Sequence, residues 1–254
     1  MRDEAATELD APLAAPPRAV LCDLDGCLIA GDRLLPGAAE FARAAGSRLW
    51  IVSNNSSDTE ATLAARLRGL GLQVAEARIL LAGVRAVERL AAARPGAAVE
   101  LRAAAPLRAR AEALGLRLDA ARPEAVLICR DPDFDLAALA RVAALMHGGA
   151  ALFAANADGS HPGPDGVPAP ETGAWLAALA AVVPGAVPEV TGKPGPALYR
   201  AALARAGVAP EEALFVGDNP ATDAAGARAL GIPCRIVAPG GLARLAREIA
   251  EARP

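Results

Sequence analysis

The sequence has 254 residues, room for one large core or for a core carrying a second module. Hydrophobic residues make up 54% but aromatics only 3%, which predicts a core of Leu, Val, Ile and close-packed Ala. A formal charge of -3, with arginines interspersed among acids, argues against a nucleic-acid partner, and no apolar stretch reaches the roughly 18 residues of a membrane span.

Residues 1–18 open with Arg2, Asp3, Glu4 and Glu8 and turn Ala- and Pro-rich without the apolar run of a secretion signal. They read as a flexible leader, and the expected location is cytoplasmic. Cys22, Cys27, Cys129 and Cys234 lack CxxC spacing and read as free buried thiols of a reducing compartment.

The run 19–22 predicts a buried strand that stops at Asp23. A helix over 36–45 follows, with Pro in its first turn and Gly46 as C-cap. A strand over 49–52 stops at the polar cluster 53–57, and Asp58 is positioned to cap the next helix, which Gly71 ends. From about 81 to 186 a second set of strands, 99–101, 125–129 and 151–154, alternates with Ala- and Leu-rich helices; a Gly/Pro-rich stretch, 161–170, reads as a loop. Asp131, Asp133 and Asp135 read as a helix-capping cluster, and Trp50 and Trp175 as core. The strand 213–216 stops at Gly217-Asp218. The alternation predicts an α/β fold with a largely parallel sheet. Three strands deliver polar groups at their carboxyl ends, where open α/β sheets bind ligands.

The polar groups suit phosphate chemistry. In Asp23-Leu24-Asp25-Gly26, one carboxylate can attack phosphorus while its neighbour protonates the leaving alcohol and then activates water; alone, the segment is equally compatible with a solvated turn. Asp218 and Asp223 offer hard oxygen ligands for Mg²⁺, although GDxxxxD also serves as a turn and N-cap. Ser53, Asn54 and Asn55 supply hydroxyl, amide and N–H donors for phosphate oxygens ahead of a helix N-terminus. Lys193, between Gly192 and Pro194, can hold phosphate and screen the acids.

The order Asp23-x-Asp25, Ser53, Lys193, Asp218 to Asp223 resembles the four motifs of the haloacid dehalogenase superfamily. The long interval between Ser53 and Lys193 resembles its type IIA branch of NagD-like, nitrophenyl, phosphoglycolate and pyridoxal phosphate phosphatases. That resemblance implies a Rossmann-like parallel-sheet core over 19–81 and 187–254, interrupted by an α/β cap over 82–186. Asp23 would be nucleophile and Mg²⁺ ligand, and Asp25 acid/base, lending its backbone carbonyl to the metal. Ser53, Asn54 and Lys193 would hold phosphate, Asp218 would bind Mg²⁺, and Asp223 would support it directly or through water. Asn156 and Asp158 match the branch's Asn-x-Asp loop signature, and His161-Pro162 resembles the substrate-contacting His-Pro of pyridoxal phosphate phosphatases.

One departure is Pro170-Glu171-Thr172-Gly173, where the branch has Pro-Gly-x-Gly; a carboxylate facing the site would disfavour strongly anionic leaving groups. The expected function is Mg²⁺-dependent hydrolysis of a small phosphomonoester through an aspartyl-phosphate. A phosphotransferase and a non-catalytic phospholigand-binding protein are the alternatives. A homodimer formed through the cap is expected.

Overall fold

The computed structural model describes residues 15–118, 120–163, 167–238 and 240–252; most of the expected leader, 1–14, lies outside the described residues. β1 (Ala19–Cys22) is buried at every position, so its side chains read as one apolar run rather than an alternation. It lies between β12 (Ala213–Gly217) and β4 (Leu49–Ser53), parallel to both. β5 (Ile79–Leu81) and β13 (Cys234–Ile236) complete a five-stranded parallel sheet of order β13-β12-β1-β4-β5. Its strand order reverses around β1, the place where such sheets open a crevice at their carboxyl ends. β2 (Ile29–Ala30) and β3 (Arg33–Leu34) form a small hairpin after the β1 turn. The helix Gly241–Glu251 packs its Leu242, Leu245 and Ile249 side inward, beside the helix Ala38–Ala45.

A second parallel sheet has order β11-β8-β7-β6, with β6 (Val99–Arg102), β7 (Ala125–Ile128), β8 (Ala151–Ala154) and β11 (Glu189–Val190). Side chains of β7 alternate between two hydrophobic clusters. Ala125 and Leu127 join the main core, while Val126 and Ile128 join Phe134, Val142 and Leu179, as a two-residue period requires. Phe134 and Trp175 stack at 4.4 Å in this second cluster, and the Arg102 guanidinium lies 5.5 Å from the Phe134 ring.

Several local expectations change. β11 lies beyond the expected 186 boundary; among the described residues it is an edge strand of the second sheet, paired with β8. Thr59, not Asp58, caps the helix Glu60–Gly69: it is extended, and its hydroxyl and N–H exchange hydrogen bonds with Thr62. Asp58 instead accepts from Asn55 Nδ2 at 3.0 Å. The 161–170 stretch contains a short antiparallel hairpin, β9 (Ser160–Pro162) with β10 (Pro168–Pro170). Its prolines disguise it, since they donate nothing to the ladder; Gly163 N–H closes it onto Val167 O at 3.0 Å. Residues 164–166 lie outside the described residues. In the acidic cluster, Asp135 caps the helix Leu136–His147, whereas Asp131 pairs with Arg102 at 3.0 Å. All four cysteines are free. Among the described residues, no helix is long and apolar enough to cross a membrane.

Replacing Phe134 removes the ring that joins Trp175 to Arg102. Phe134→Ala is expected to cost about 3–5 kcal/mol, read as a lower urea midpoint.

Candidate active site

Asp23 continues the line of β1, its N–H donating to Val216 O at 2.8 Å. The chain then turns at Gly26, whose φ of 89° is left-handed and whose absent Cβ would strike the Asp218 carboxylate. Only glycine meets both conditions. At the end of β12, a Cβ on Gly217 would likewise strike the Asp223 carboxylate. The two close approaches bring carboxylate oxygens of Asp23, Asp218 and Asp223 within 4.8 Å of one another.

Lys193 lies among them. Its Nζ is 2.7 Å from Asp23 Oδ1 and 2.7 Å from Asp223 Oδ1. Lys193 is 2% exposed and Asp223 0%. The second oxygen of Asp223 accepts from the N–H groups of Asp218 (3.2 Å) and Asn219 (3.1 Å). The Tyr199 hydroxyl steadies the same turn by donating to Thr222 O at 2.9 Å.

One ammonium among three carboxylates leaves a negative surplus. Burial lifts the Asp23 carboxyl well above its usual range; Lys193 opposes the shift, and Asp223 and Asp218 add to it. Asp218 is raised by burial and by Asp223. Burial works against the lysine's charge, but Asp23 and Asp223 outweigh it and hold its pKa above the ordinary value. This oxygen-only donor set with excess negative charge fits a hard divalent cation such as Mg²⁺. Asp23 and Asp218 fit as its carboxylate ligands. Both Asp223 oxygens are already engaged, which fits it as a support.

The β4 end supplies the opposite edge. Asn54 ties three segments together: its Oδ1 accepts from Lys193 N–H at 2.7 Å, and its Nδ2 donates to Asp158 Oδ2 at 2.9 Å. Ser53 Oγ accepts from Asn55 N–H, and Asn55 Oδ1 accepts from the N–H groups of Ser57 and Asp58. Fully buried Asn156 donates to Asn54 O at 2.7 Å and accepts from Asp158 N–H at 3.1 Å.

Of the site residues expected from the sequence, all line one cleft except Asn156 and Asp223, which are fully buried. Asp25 faces this cleft with its pKa raised by burial, an effect that Arg66 and His161 oppose. His161 Nδ1 meets Glu171 Oε1 at 2.8 Å, and that hydrogen bond raises the imidazole pKa. Ser56, in the polar cluster 53–57, is not among the residues lining the cleft; its hydroxyl accepts from Arg130 N–H at 2.9 Å and lies 3.3 Å from Thr172 Oγ1. Sequence reasoning missed Tyr199, which carries no local signal because its partners are distant in the chain.

A family model described as haloacid dehalogenase-like hydrolase matches residues 14–231. Chronophin of Rattus norvegicus is 36% identical over 220 residues, covering 80% of this chain and 71% of the relative. A glycerol phosphate phosphatase of Mycobacterium tuberculosis, solved in complex with magnesium, superposes with a TM-score of 0.80 at 33% identity, covering 90% of this chain and 71% of the other. A 4-nitrophenylphosphatase of Thermotoga maritima gives a TM-score of 0.82 at 25% identity, covering 91% and 97%. With the acidic floor and the two-sheet architecture, these likenesses establish that the chain belongs to the haloacid dehalogenase-like hydrolases, among the type IIA phosphatases.

Proposed function

We propose that the cleft hydrolyses a small-molecule phosphomonoester through a phosphoryl group carried covalently on Asp23, with Mg²⁺ as its cation. The observation that carries this reading is the buried Asp23-Lys193-Asp223 chain, with both contacts at 2.7 Å, opening into a cleft that Asp25 also lines. The Lys193 contact fixes one Asp23 oxygen and aims the carboxylate, while the ammonium offsets charge on the phosphate.

In the first half-reaction an Asp23 oxygen bonds to phosphorus as the bond to the leaving alcohol breaks. Asp25 gives its proton to that alcohol's oxygen. In the second, Asp25, now a carboxylate, takes a proton from water, whose oxygen attacks phosphorus and frees Asp23 and inorganic phosphate. The burial that lifts the Asp25 pKa keeps its acid form available closer to neutral pH, as the first half requires. When bound beside Asp23 and Asp218, Mg²⁺ would supply positive charge that lets an anionic carboxylate approach an anionic ester. Ser53, Asn54 and Asn55 line the same cleft, and the Ser53 hydroxyl, which accepts from Asn55 N–H, would donate its proton to a phosphate oxygen. The second sheet and its hairpin limit water access.

Hydrolysis of p-nitrophenyl phosphate should require Mg²⁺, stop with EDTA and return when the ion is restored. Asp23→Asn should lower kcat by about 1,000-fold or more with unchanged circular dichroism; retained turnover would remove Asp23 from its role. Lys193→Met leaves buried carboxylates uncompensated and should cost about 3–5 kcal/mol at pH 8. The raised lysine pKa keeps the native ammonium's contribution complete below pH ~10. The loss should shrink at pH 5, where the orphaned carboxylates can take up protons, and matched urea melts at the two pH values would measure this.

A further inference from the structure

One wall of the cleft is built by the hairpin and the helix that follows it. Glu171 caps the helix Thr172–Val182, its Oε2 accepting from Thr172 N–H at 3.3 Å. Its own N–H donates to Gly159 O at 3.1 Å. The next two residues are equally fixed: Thr172 is fully buried against Ser56, and a Cβ at Gly173 would fall 2.6 Å from Asp158 O. Glu171 therefore cannot be withdrawn by a small backbone shift.

Its Oε1 meets His161 Nδ1 at 2.8 Å and lies 3.5 Å from Arg130 Nε. The Glu171 and His161 side chains are 12% and 19% exposed, so their hydrogen bond lies in a poorly hydrated place. Glu171, His161 and Asp158 line the same cleft as Asp25, and both His161 and Glu171 bear on the Asp25 carboxyl. This wall therefore faces the group that serves the leaving oxygen.

We propose that Glu171 sets the leaving-group preference of the site: by engaging His161 and Arg130 it favours phosphomonoesters of uncharged, hydroxyl-bearing alcohols over those whose leaving group carries a carboxylate. The inference rests on the phosphatase reading above. Without Glu171, the His161 imidazole that lines the cleft and the Arg130 guanidinium beside the glutamate would lose their shared carboxylate and could receive that of a substrate. With it, an entering carboxylate meets Asp158 and Glu171 while His161 and Arg130 are already engaged, a repulsive element that works against the wrong substrate. A hydroxyl meets no such charge. It finds the Ser160 hydroxyl and the second ring nitrogen of His161, which can donate or accept.

Steady-state kinetics on glycerol 3-phosphate and 2-phosphoglycolate test this, since these small esters differ in the charge of the leaving group. The native enzyme with Mg²⁺ should favour glycerol 3-phosphate in kcat/KM by about tenfold or more. Glu171→Gln should narrow that ratio about tenfold, chiefly through a lower KM for phosphoglycolate. Arg130→Gln should widen it. Opposite shifts are not produced by general loosening of the wall, and the 45% exposed Arg130 side chain can be changed with the fold intact should the glutamate variant fail to fold. A native preference for phosphoglycolate, a ratio unmoved by either variant, or a shift in the same direction in both overturns the proposal. Native turnover of p-nitrophenyl phosphate separates the two levels. If it is absent, the phosphatase reading fails and this inference with it; if it is present and the ratio does not move, Glu171 alone loses its role.

Discussion

The architecture is constrained above all by one buried ammonium held between two carboxylates. Charges removed from water are tolerated only when paired and hydrogen-bonded. Lys193, Asp23 and Asp223 satisfy that condition only if three separate segments converge within hydrogen-bond distance. That demand sets the small residues around them: Gly26 and Gly217 occupy places where any Cβ would strike an acid. It also explains why a tyrosine hydroxyl is spent on the carbonyls of the Asp223 turn.

The same constraint reaches the second sheet. Lys193 lies just beyond β11, so its side chain anchors to the core the point where the chain returns from that sheet. Its main chain is gripped at both ends by Asn54, through the N–H and the carbonyl. Asn156, Ser56 and Thr172 extend these links into the second sheet and the hairpin and helix that follow it, the roof of the cleft. The roof is thereby fastened to the β4 loop by polar contacts that are themselves buried, where each is stronger than in water. A carboxylate standing on such a roof bears on the reacting groups with little screening.

Much of this was legible in the sequence because the physics behind it is local. A strand buried on both faces must be a continuous apolar run, and 19–22 and 213–216 are such runs, the first stopping at Asp23 and the second at Gly217-Asp218. The acidic motifs, the lysine at 193 and the long interval between Ser53 and Lys193 together point to one superfamily and branch. Glu171 was visible as a departure from the branch's pattern. Other features were illegible for equally physical reasons. Asp58 and Thr59 are adjacent and both suited to capping, so only backbone geometry separates them. The hairpin is written largely in prolines, which read as loop. The Ser56-Thr172 and Asn54-Lys193 contacts join residues more than a hundred positions apart, and a two-residue edge strand such as β11 has no periodicity to detect.

Lys193 is the only lysine in the sequence; every other basic side chain, apart from two histidines, is an arginine. Guanidinium groups stay protonated and are poor nucleophiles, whereas lysine amines are the usual targets of acylation, reductive alkylation and amine-directed cross-linking. Here the single lysine amine is shut inside the protein, charged and saturated by carboxylates. The folded surface consequently presents no lysine for such chemistry, and labelling of this residue would report loss of the native floor rather than accessibility in the native state.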